Sequence, residues 1–554
     1  MKELIKSITK AEWKFLILLI LVLIVITTLP YFIGYSFAPS NKTYNGLHAL
    51  IAGDIPVYYS YIDQVKTGQI FLKDLFTSEN QDLGTLNVWW LLVGWLAWIF
   101  NLTPLLAFHF SRILMIPIFV FVAYLFLAYF FKSVLERRVA LIFTVFSSGL
   151  GAYFANFFDQ LGWENIIPYR WPIDLWLGEG IIFNTLCQTS HFIASITLTL
   201  LIFLLLLLAF EKNNFIYAVI SGFLALFYFN FHPYYFPVIF LVPGIYLLLL
   251  FIKEKKIIWP NVWILAVTFF ISLPSVFYHF WLIKSSLVVG QRAAQNVTLI
   301  SPPLFVLIGF GFLWPGFVLG LYFLIKKNKF DAKLKFLLIW LIVNLVLAYS
   351  PFPFQSRYAQ GIQVVLVIFT VSGIFYGLEY LKSKIKPKTF DFWFNNSALF
   401  FILFVIFLAP SNLYNLTRDL YYFTYKPGQI GQILYLPKGF DPAFVWFRSQ
   451  PGQKIILASD IPARFIPGFS GQTVYVGHLH ETLFAYSKVM YLTWFLKDNS
   501  QDELKYKFLL KNKIDYLFYS DYEKRLGDFN PTQKDYLKSV YKNADVEIFE
   551  VIKK

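Results

Sequence analysis

A carboxylate held a few residues beyond an apolar run is partly desolvated, which raises its basicity and lets it take a proton from a hydroxyl. Asp54 is placed that way in Gly53-Asp54-Ile55-Pro56-Val57-Tyr58-Tyr59-Ser60, and Asp63, Gln64 and Lys66 follow in the same amphipathic stretch. The residue equally suits a helix N-cap, since Asp before Ile-Pro-Val starts helices well. A second segment, Trp171-Pro172-Ile173-Asp174-Leu175-Trp176-Leu177-Gly178-Glu179, sets two carboxylates among tryptophans, with His191 at the mouth of the next apolar run. Asp174 and Glu179, with Asp54 as a further candidate, are of a type to hold a divalent cation such as Mg or Mn, or to orient hydroxyls; the tryptophans equally suit an interfacial anchor.

His232-Pro233-Tyr234-Tyr235 closes one apolar run and opens the next, where Pro stops the helix and leaves the histidine at the surface. Arg292 and the string Gln355-Ser356-Arg357 stand in other polar breaks. A guanidinium presents a fork suited to phosphate oxygens, so Arg357 is the candidate for gripping a lipid phosphate; snorkelling to headgroups is its ordinary alternative. The substrate-facing set is then Asp174, Glu179, His191, His232, Arg292, Gln355 and Arg357. Arg112 sits inside an apolar run and calls for a buried partner. In the tail, His478, His480 and Glu481 have metal-ligand types, although such a run also reads as ordinary turn polarity. The sequence has no phosphate-cradling G-x-x-x-x-G-K-[ST] loop, no H-E-x-x-H and no G-x-S-x-G elbow.

What must position these groups is set by composition. With 554 residues, 58% hydrophobic and only 14% charged, the chain carries more apolar surface than one soluble core can hide. A soluble enzyme is excluded, and a mean hydropathy of +0.60 points to a polytopic α-helical membrane protein. The net charge of +15 sits largely in short clusters between apolar runs, a topology signal rather than a sign of a nucleic-acid partner. One cysteine, Cys187, allows no intramolecular disulfide.

Clusters of Lys and Arg mark cytoplasmic loops. Placing the N-terminal lysines, Lys132 to Arg138, Glu211 to Asn214, Lys253 to Lys256, Lys326 to Lys335 and Lys382 to Lys388 inside predicts spans near 15–37, 139–157, 190–210, 215–231, 235–252, 258–280, 303–325, 336–350, 361–380 and 396–412. One net crossing in 87–131 brings the total to about eleven, with the Trp-rich piece Val88 to Phe100 interfacial or re-entrant; the alternative is two ordinary spans there. The expected organisation is a membrane domain over 1–412 with external loops 38–86 and 158–189, a linker over 413–428, and an extracytoplasmic α/β domain over 429–554. In that tail, Lys454 to Ala458, Thr473 to Val476, Tyr516 to Tyr519 and Val546 to Ile552 read as strands, and Asp441 to Arg448, Glu481 to Leu496 and Gln501 to Asn512 as helices.

This layout resembles the GT-C superfamily of polytopic glycosyltransferases: an N-terminus inside, an acidic residue just past the first span (Asp54), a second acidic external loop (Asp174 or Glu179) and an external C-terminal domain. Asp54-Ile55-Pro56-Val57-Tyr58-Tyr59-Ser60, Asp174-Leu175-Trp176-Leu177-Gly178-Glu179, His191-Phe192, His232-Pro233-Tyr234, Gln355-Ser356-Arg357 and Gly477-His478-Leu479-His480-Glu481-Thr482 look like those of bacterial members that use polyprenyl-phosphate sugars. That group tends to show paired Arg after Gln, where this sequence has Ser356-Arg357. The resemblance implies transfer of a hexose or pentose from a polyprenyl-phosphate donor to a glycan, lipid or protein acceptor at the outer face of the cytoplasmic membrane. Asp54 would be general base, with inversion at the anomeric carbon, and Arg357 would steady the leaving phosphate. The rival readings are a lipid-linked sugar flippase or other secondary transporter, which would show interrupted helices and midplane charges in matching halves, and a non-catalytic membrane assembly protein.

Overall fold

Runs of Leu, Ile, Val and Phe without a hydrogen-bonding solvent must satisfy their backbone internally, so they fold as helices. The computed structural model describes residues 1–48, 53–155, 171–384, 397–424 and 429–553; the part of the expected loop 158–189 before residue 171, and residues 425–428 of the expected linker, lie outside them. Among the described residues, six helices are long and apolar enough to cross a membrane: Lys10–Ser36, Pro104–Phe130, Ser190–Lys212, Pro233–Glu254, Trp259–Ser285 and Gln355–Lys382. Pro303–Phe310 and Leu313–Lys326 meet at 79° and make a seventh if the pair is one broken span. The bend falls at Gly311, whose φ of +50° belongs to the left-handed region that glycine enters without strain.

Length alone therefore does not yield eleven crossings. Val134–Phe146 has 13 residues, and Phe215–Phe231 and Ala332–Ala348 have 17 each. Val88–Ile99 has 12, and at a rise of about 1.5 Å per residue it cannot cross a hydrocarbon layer of about 30 Å.

The chain divides into two units. The first comprises Met1–Leu29, Arg112–Tyr278 and Val297–Arg418. Its helix Ser190–Lys212 is almost wholly buried. Polar groups there are matched one to another: Gln360 accepts from Ser195 at 2.7 Å and donates to Tyr228 at 3.0 Å, and its carbonyl accepts from Tyr235 and Asn344 at 2.7 Å each. Arg112, fully buried, donates to the hydroxyls of Thr27 and Thr28 and to the Leu186 carbonyl. Arg137 pairs with the buried Glu12 at 3.3 Å.

The second unit comprises Pro30–Ser111, His279–Asn296 and Asp419–Lys554. It is built on a five-stranded mixed sheet. With β1 at Lys42–Tyr44, β2 at Tyr435–Pro437, β3 at Ile455–Leu457, β4 at Thr473–Val474, β5 at Tyr516–Ser520, β6 at Leu537–Lys542 and β7 at Val546–Val551, the order is β4-β3-β5-β7-β6. β3 is parallel to β4 and β5, while β7 is antiparallel to β5 and β6. Leu457, Val476, Phe495, Leu509, Leu517 and Phe549 fill its core. Antiparallel pairing of β1 with β2 ties the first loop to the tail. The helix Ile55–Lys66 lies against Asp460–Ser470 so closely that a Cβ on Gly468 would stand 2.8 Å from Tyr59 Cβ. All four expected tail strands and all three expected helices are present; Asp460–Ser470 and β6 are additions.

Candidate functional site

Asp54 precedes Ile55–Lys66 at the N-cap position, but it does not cap. Its φ and ψ of −85° and −27° are helical, where a capping residue is extended, and no side-chain cap bond forms. The capping reading is thereby overturned. The carboxylate turns instead to the tail: Oδ1 lies 3.1 Å from Nε2 of His478. The Asp54 side chain is 46% exposed and that of His478 only 8%. Burial alone would push the imidazole down, but the hydrogen bond and charge of Asp54 outweigh it and hold the His478 pKa above the ordinary histidine value.

His478 follows β4 in a turn pinned by Thr482. The Thr482 hydroxyl accepts from the amides of Gly477 and His478 at 3.1 and 3.2 Å, and donates to the Phe76 carbonyl at 2.6 Å. The same turn sends Glu481 to Arg292 at 3.1 Å, and Arg292 also donates to the Tyr61 hydroxyl at 3.0 Å. Nearby, burial and then the Glu481 charge push Asp74 up to about 7. Lys488 reaches Glu79 at 2.7 Å. Turn polarity thus describes only the exposed His480; its neighbours are paired within the unit. Arg292, expected to face substrate, braces the turn.

In the first unit, Arg357 lies in the short helix Gln355–Ala359 and forms an ion pair with Glu179. Its Cζ stands 5.4 Å from the centre of the Phe192 ring and 5.9 Å from that of Tyr234. The Tyr234 ring is 5.0 Å from His232, which is 5.2 Å from His191. His191 Nδ1 and the Thr189 hydroxyl are 2.7 Å apart, and the buried Nδ1 of His232 has no hydrogen-bond partner. Four of the expected residues, Glu179, His191, His232 and Arg357, therefore come together around two aromatic rings.

Asp174 and Gln355 serve their own loops. Asp174 is fully buried; it accepts from the Gly151 amide at 2.9 Å, and its carbonyl takes the side chains of Asn184 and Asn415. Burial pushes its carboxyl up to about 7 against the pull of hydrogen bonds from the Ser411 hydroxyl and the Gly151 amide. Gln355 donates to the Ser350 carbonyl at 2.8 Å and accepts from the Ile300 amide.

Among the described residues no three His, Cys, Asp or Glu side chains are grouped to hold a metal. Asp174 turns to Gly151, Glu179 to Arg357 and Asp54 to His478, so no metal-dependent step is derived.

No protein-family model and no curated protein matches the sequence. Solved structures do match. The archaeal oligosaccharyltransferase AglB from Archaeoglobus fulgidus, in complex with an inhibitory peptide and a dolichol-phosphate, aligns over 90% of this chain and 69% of its own at 14% identity, with a TM-score of 0.53. The Archaeoglobus fulgidus oligosaccharyltransferase in complex with Zn and sulfate aligns over 89% and 68% at 15% identity, with a TM-score of 0.51. The chain has the GT-C fold. ArnT from Cupriavidus metallidurans, bound to undecaprenyl phosphate, aligns over 96% of this chain and 97% of its own at 12% identity and a TM-score of 0.48. Within this GT-C fold the partners that sequence reasoning missed are Tyr61 and Asp74, two ordinary polar residues of the first loop, and the bond joining Asp54 to His478.

Proposed function

We propose that this protein is a glycosyltransferase that moves a hexose or pentose from a polyprenyl-phosphate donor to an acceptor hydroxyl at the outer face of the cytoplasmic membrane. The observation that carries the reading is the half-exposed Asp54 carboxylate, not spent on capping its helix and held by a buried histidine, in a chain with the GT-C fold. Asp54 takes the proton of the acceptor hydroxyl as its oxygen attacks the anomeric carbon. The bond from that carbon to the donor phosphate oxygen breaks, the configuration inverts, and the electron pair leaves with the lipid phosphate. Arg357 offers a fork suited to a lipid phosphate, with Phe192 and Tyr234 limiting the fork's freedom and His232 and His191 beside them. Glu179 keeps the guanidinium compensated when no donor is bound. The acceptor class is a glycan, lipid or protein hydroxyl, the C-terminus lies outside, and the N-terminus inside.

The test is transfer from radiolabelled polyprenyl-phosphate sugars by the purified full chain. Loss of a general base costs about 10²- to 10⁴-fold, so Asp54→Asn should abolish detectable product while the protein still folds. Full transfer by a folded Asp54→Asn chain would remove the assignment.

A further inference from the structure

The helices Pro233–Glu254 and Trp259–Ser285, joined through residues 255–258, border a groove of about 450 Å³ that the proposed chemistry does not use. Phe240, Gly244, Leu248 and Phe251 recur at the spacing of one helix face and form one wall; Val262 and Ala266 stand on the other. The groove exists because Gly244 brings no side chain to it, and a Cβ there would meet nothing within 4 Å. At the end nearer Tyr234 the rings of Phe240 and Phe269 close it edge to face, with centres 5.1 Å apart. From Phe240 to Phe251 it runs about 16 Å at a rise of about 1.5 Å per residue, half of a hydrocarbon layer of about 30 Å. That is the depth of one lipid leaflet.

The other end selects the occupant. Lys255 stands one helical turn beyond Phe251 and continues the same stripe, and Lys253 and Lys256 flank it, all three exposed. Lys253 lies 3.8 Å from Glu254; among the described residues neither Lys255 nor Lys256 has an ion-pair partner. Lys255 ends its helix at a φ of +50°, in the left-handed region that usually goes to glycine or asparagine. Clustered lysines mark a cytoplasmic turn, but that role asks nothing of the groove beside them. Trp259 and Trp263, both exposed, suit the headgroup level at the same turn. An occupant must therefore be slender, apolar over about one leaflet, and negatively charged where it leaves the groove. A partner helix is about 10–12 Å across and brings no fixed charge to that level. A polyprenyl chain descending from a phosphate held at Arg357 would meet the closed end first. A phospholipid of the leaflet at the basic turn meets all three conditions, with its phosphate within reach of the lysines.

We infer that this groove is a binding site for one anionic phospholipid, with an acyl chain laid along Gly244 and the headgroup phosphate among Lys253, Lys255 and Lys256. The site does not depend on the function proposed above. An acyl chain there fills the space between two helices, the first of which carries Tyr234 of the Arg357 cluster near its other end.

Native mass spectrometry of the detergent-solubilised full chain, titrated with phosphatidylglycerol and with phosphatidylcholine of the same acyl chains, tests the site. Wild type should hold one phosphatidylglycerol about tenfold more tightly than phosphatidylcholine. Gly244→Trp, which fills the groove where a Cβ meets nothing, should abolish that tight adduct in a folded chain. Lys255→Gln combined with Lys256→Gln should weaken phosphatidylglycerol about tenfold and leave phosphatidylcholine nearly unchanged. Equal affinity for the two lipids in wild type, or an undiminished phosphatidylglycerol adduct in folded Gly244→Trp, would overturn the proposal. Tighter Gly244-dependent binding of a polyprenyl phosphate than of phosphatidylglycerol would give the groove to that chain, and a lipid-free dimer lost in Gly244→Trp would give it to a second copy; either result would overturn the proposal as well.

Discussion

The imidazole Nε2 of His478 stands 3.1 Å from the carboxylate Oδ1 of Asp54, across 424 positions of sequence. This bond makes the tail part of the local environment of the first loop, and it has a definite sign with pH. The folded His478 pKa is raised, so the stabilisation is complete below the ordinary histidine value of about 6.5 and is lost as pH rises through the higher folded value. We expect wild type to exceed Asp54→Asn in thermal stability by the largest margin at about pH 6 and by a smaller one at about pH 9. Because Asp54 is half exposed, the margin should not exceed about 1 kcal/mol. A margin that grows with pH would refute the pairing.

Asp74 has the opposite character for a carboxylate. Its folded pKa of about 7, raised by burial and then by Glu481, lies above its unfolded value. The fold is therefore favoured when Asp74 is protonated, and stability falls as pH rises from about 4 through about 7. Asp74→Asn keeps an acceptor for the Phe76 amide, which bonds Asp74 Oδ1 at 2.9 Å, and removes the charge. Its melting temperature should vary less between about pH 5 and about pH 8 than that of wild type. Equal slopes in calorimetry would show that Asp74 is ionised throughout.

The Glu481–Arg292 pair should be structural, since Arg292 also donates to Tyr61 and both charges are largely buried. Glu481→Ala leaves the guanidinium with an uncompensated charge and should cost about 2 kcal/mol in denaturant unfolding. Glu481→Gln, which can still accept a hydrogen bond, should cost less than half of that. If both substitutions were neutral, the turn that carries His478 would be held by Thr482 alone.

How far the sequence foretold this arrangement depended on the range of the interaction. The tail strands at 455–457, 473–474, 516–520 and 546–551 are short apolar runs between polar breaks, a local signal that survives into the fold. Asp460–Ser470 contains Pro462 and Pro467, which read as breakers although one stands in its first turn, and β6 has an exposed, polar pattern suited to an edge. The grouping of Glu179, His191, His232 and Arg357 followed from placing helix ends at one level. The Asp54–His478 bond had no local signal, because it arises from tertiary contacts between the first loop and the tail, among them the packing of Ile55–Lys66 on Asp460–Ser470 and the bond from Thr482 to Phe76. The N-cap reading of Asp54 failed for a related reason: tertiary bonding outcompeted a local bond that the dipeptide pattern favours.

Arg357 and Glu179 make opposed expectations for binding of a polyprenyl phosphate, measured by titration of the purified protein. Arg357→Ala should weaken it about tenfold or more, and Arg357→Lys should restore only part of the loss, because an ammonium lacks the fork. Glu179→Gln should tighten binding several-fold, since the carboxylate no longer competes with phosphate for the guanidinium. Weaker phosphate binding in Glu179→Gln, with the fold intact, would mean that the carboxylate positions Arg357 instead of competing for it.

Asp174 separates a bracing role from a chemical one. A Cβ on Gly151 would stand 2.5 Å from its Oδ1, so Gly151→Ala must displace the carboxylate that accepts the Gly151 amide. Overpacking of this kind costs about 1–3 kcal/mol. Asp174→Asn retains an acceptor for that amide and mimics the protonated form favoured in the folded protein below about 7. If Asp174 braces its loop, Gly151→Ala should lower stability and the transfer rate together, while Asp174→Asn leaves the rate within about twofold of wild type, because no interaction made only in the transition state is removed. A stable Asp174→Asn chain with transfer reduced a hundredfold would move Asp174 from the brace to the chemistry.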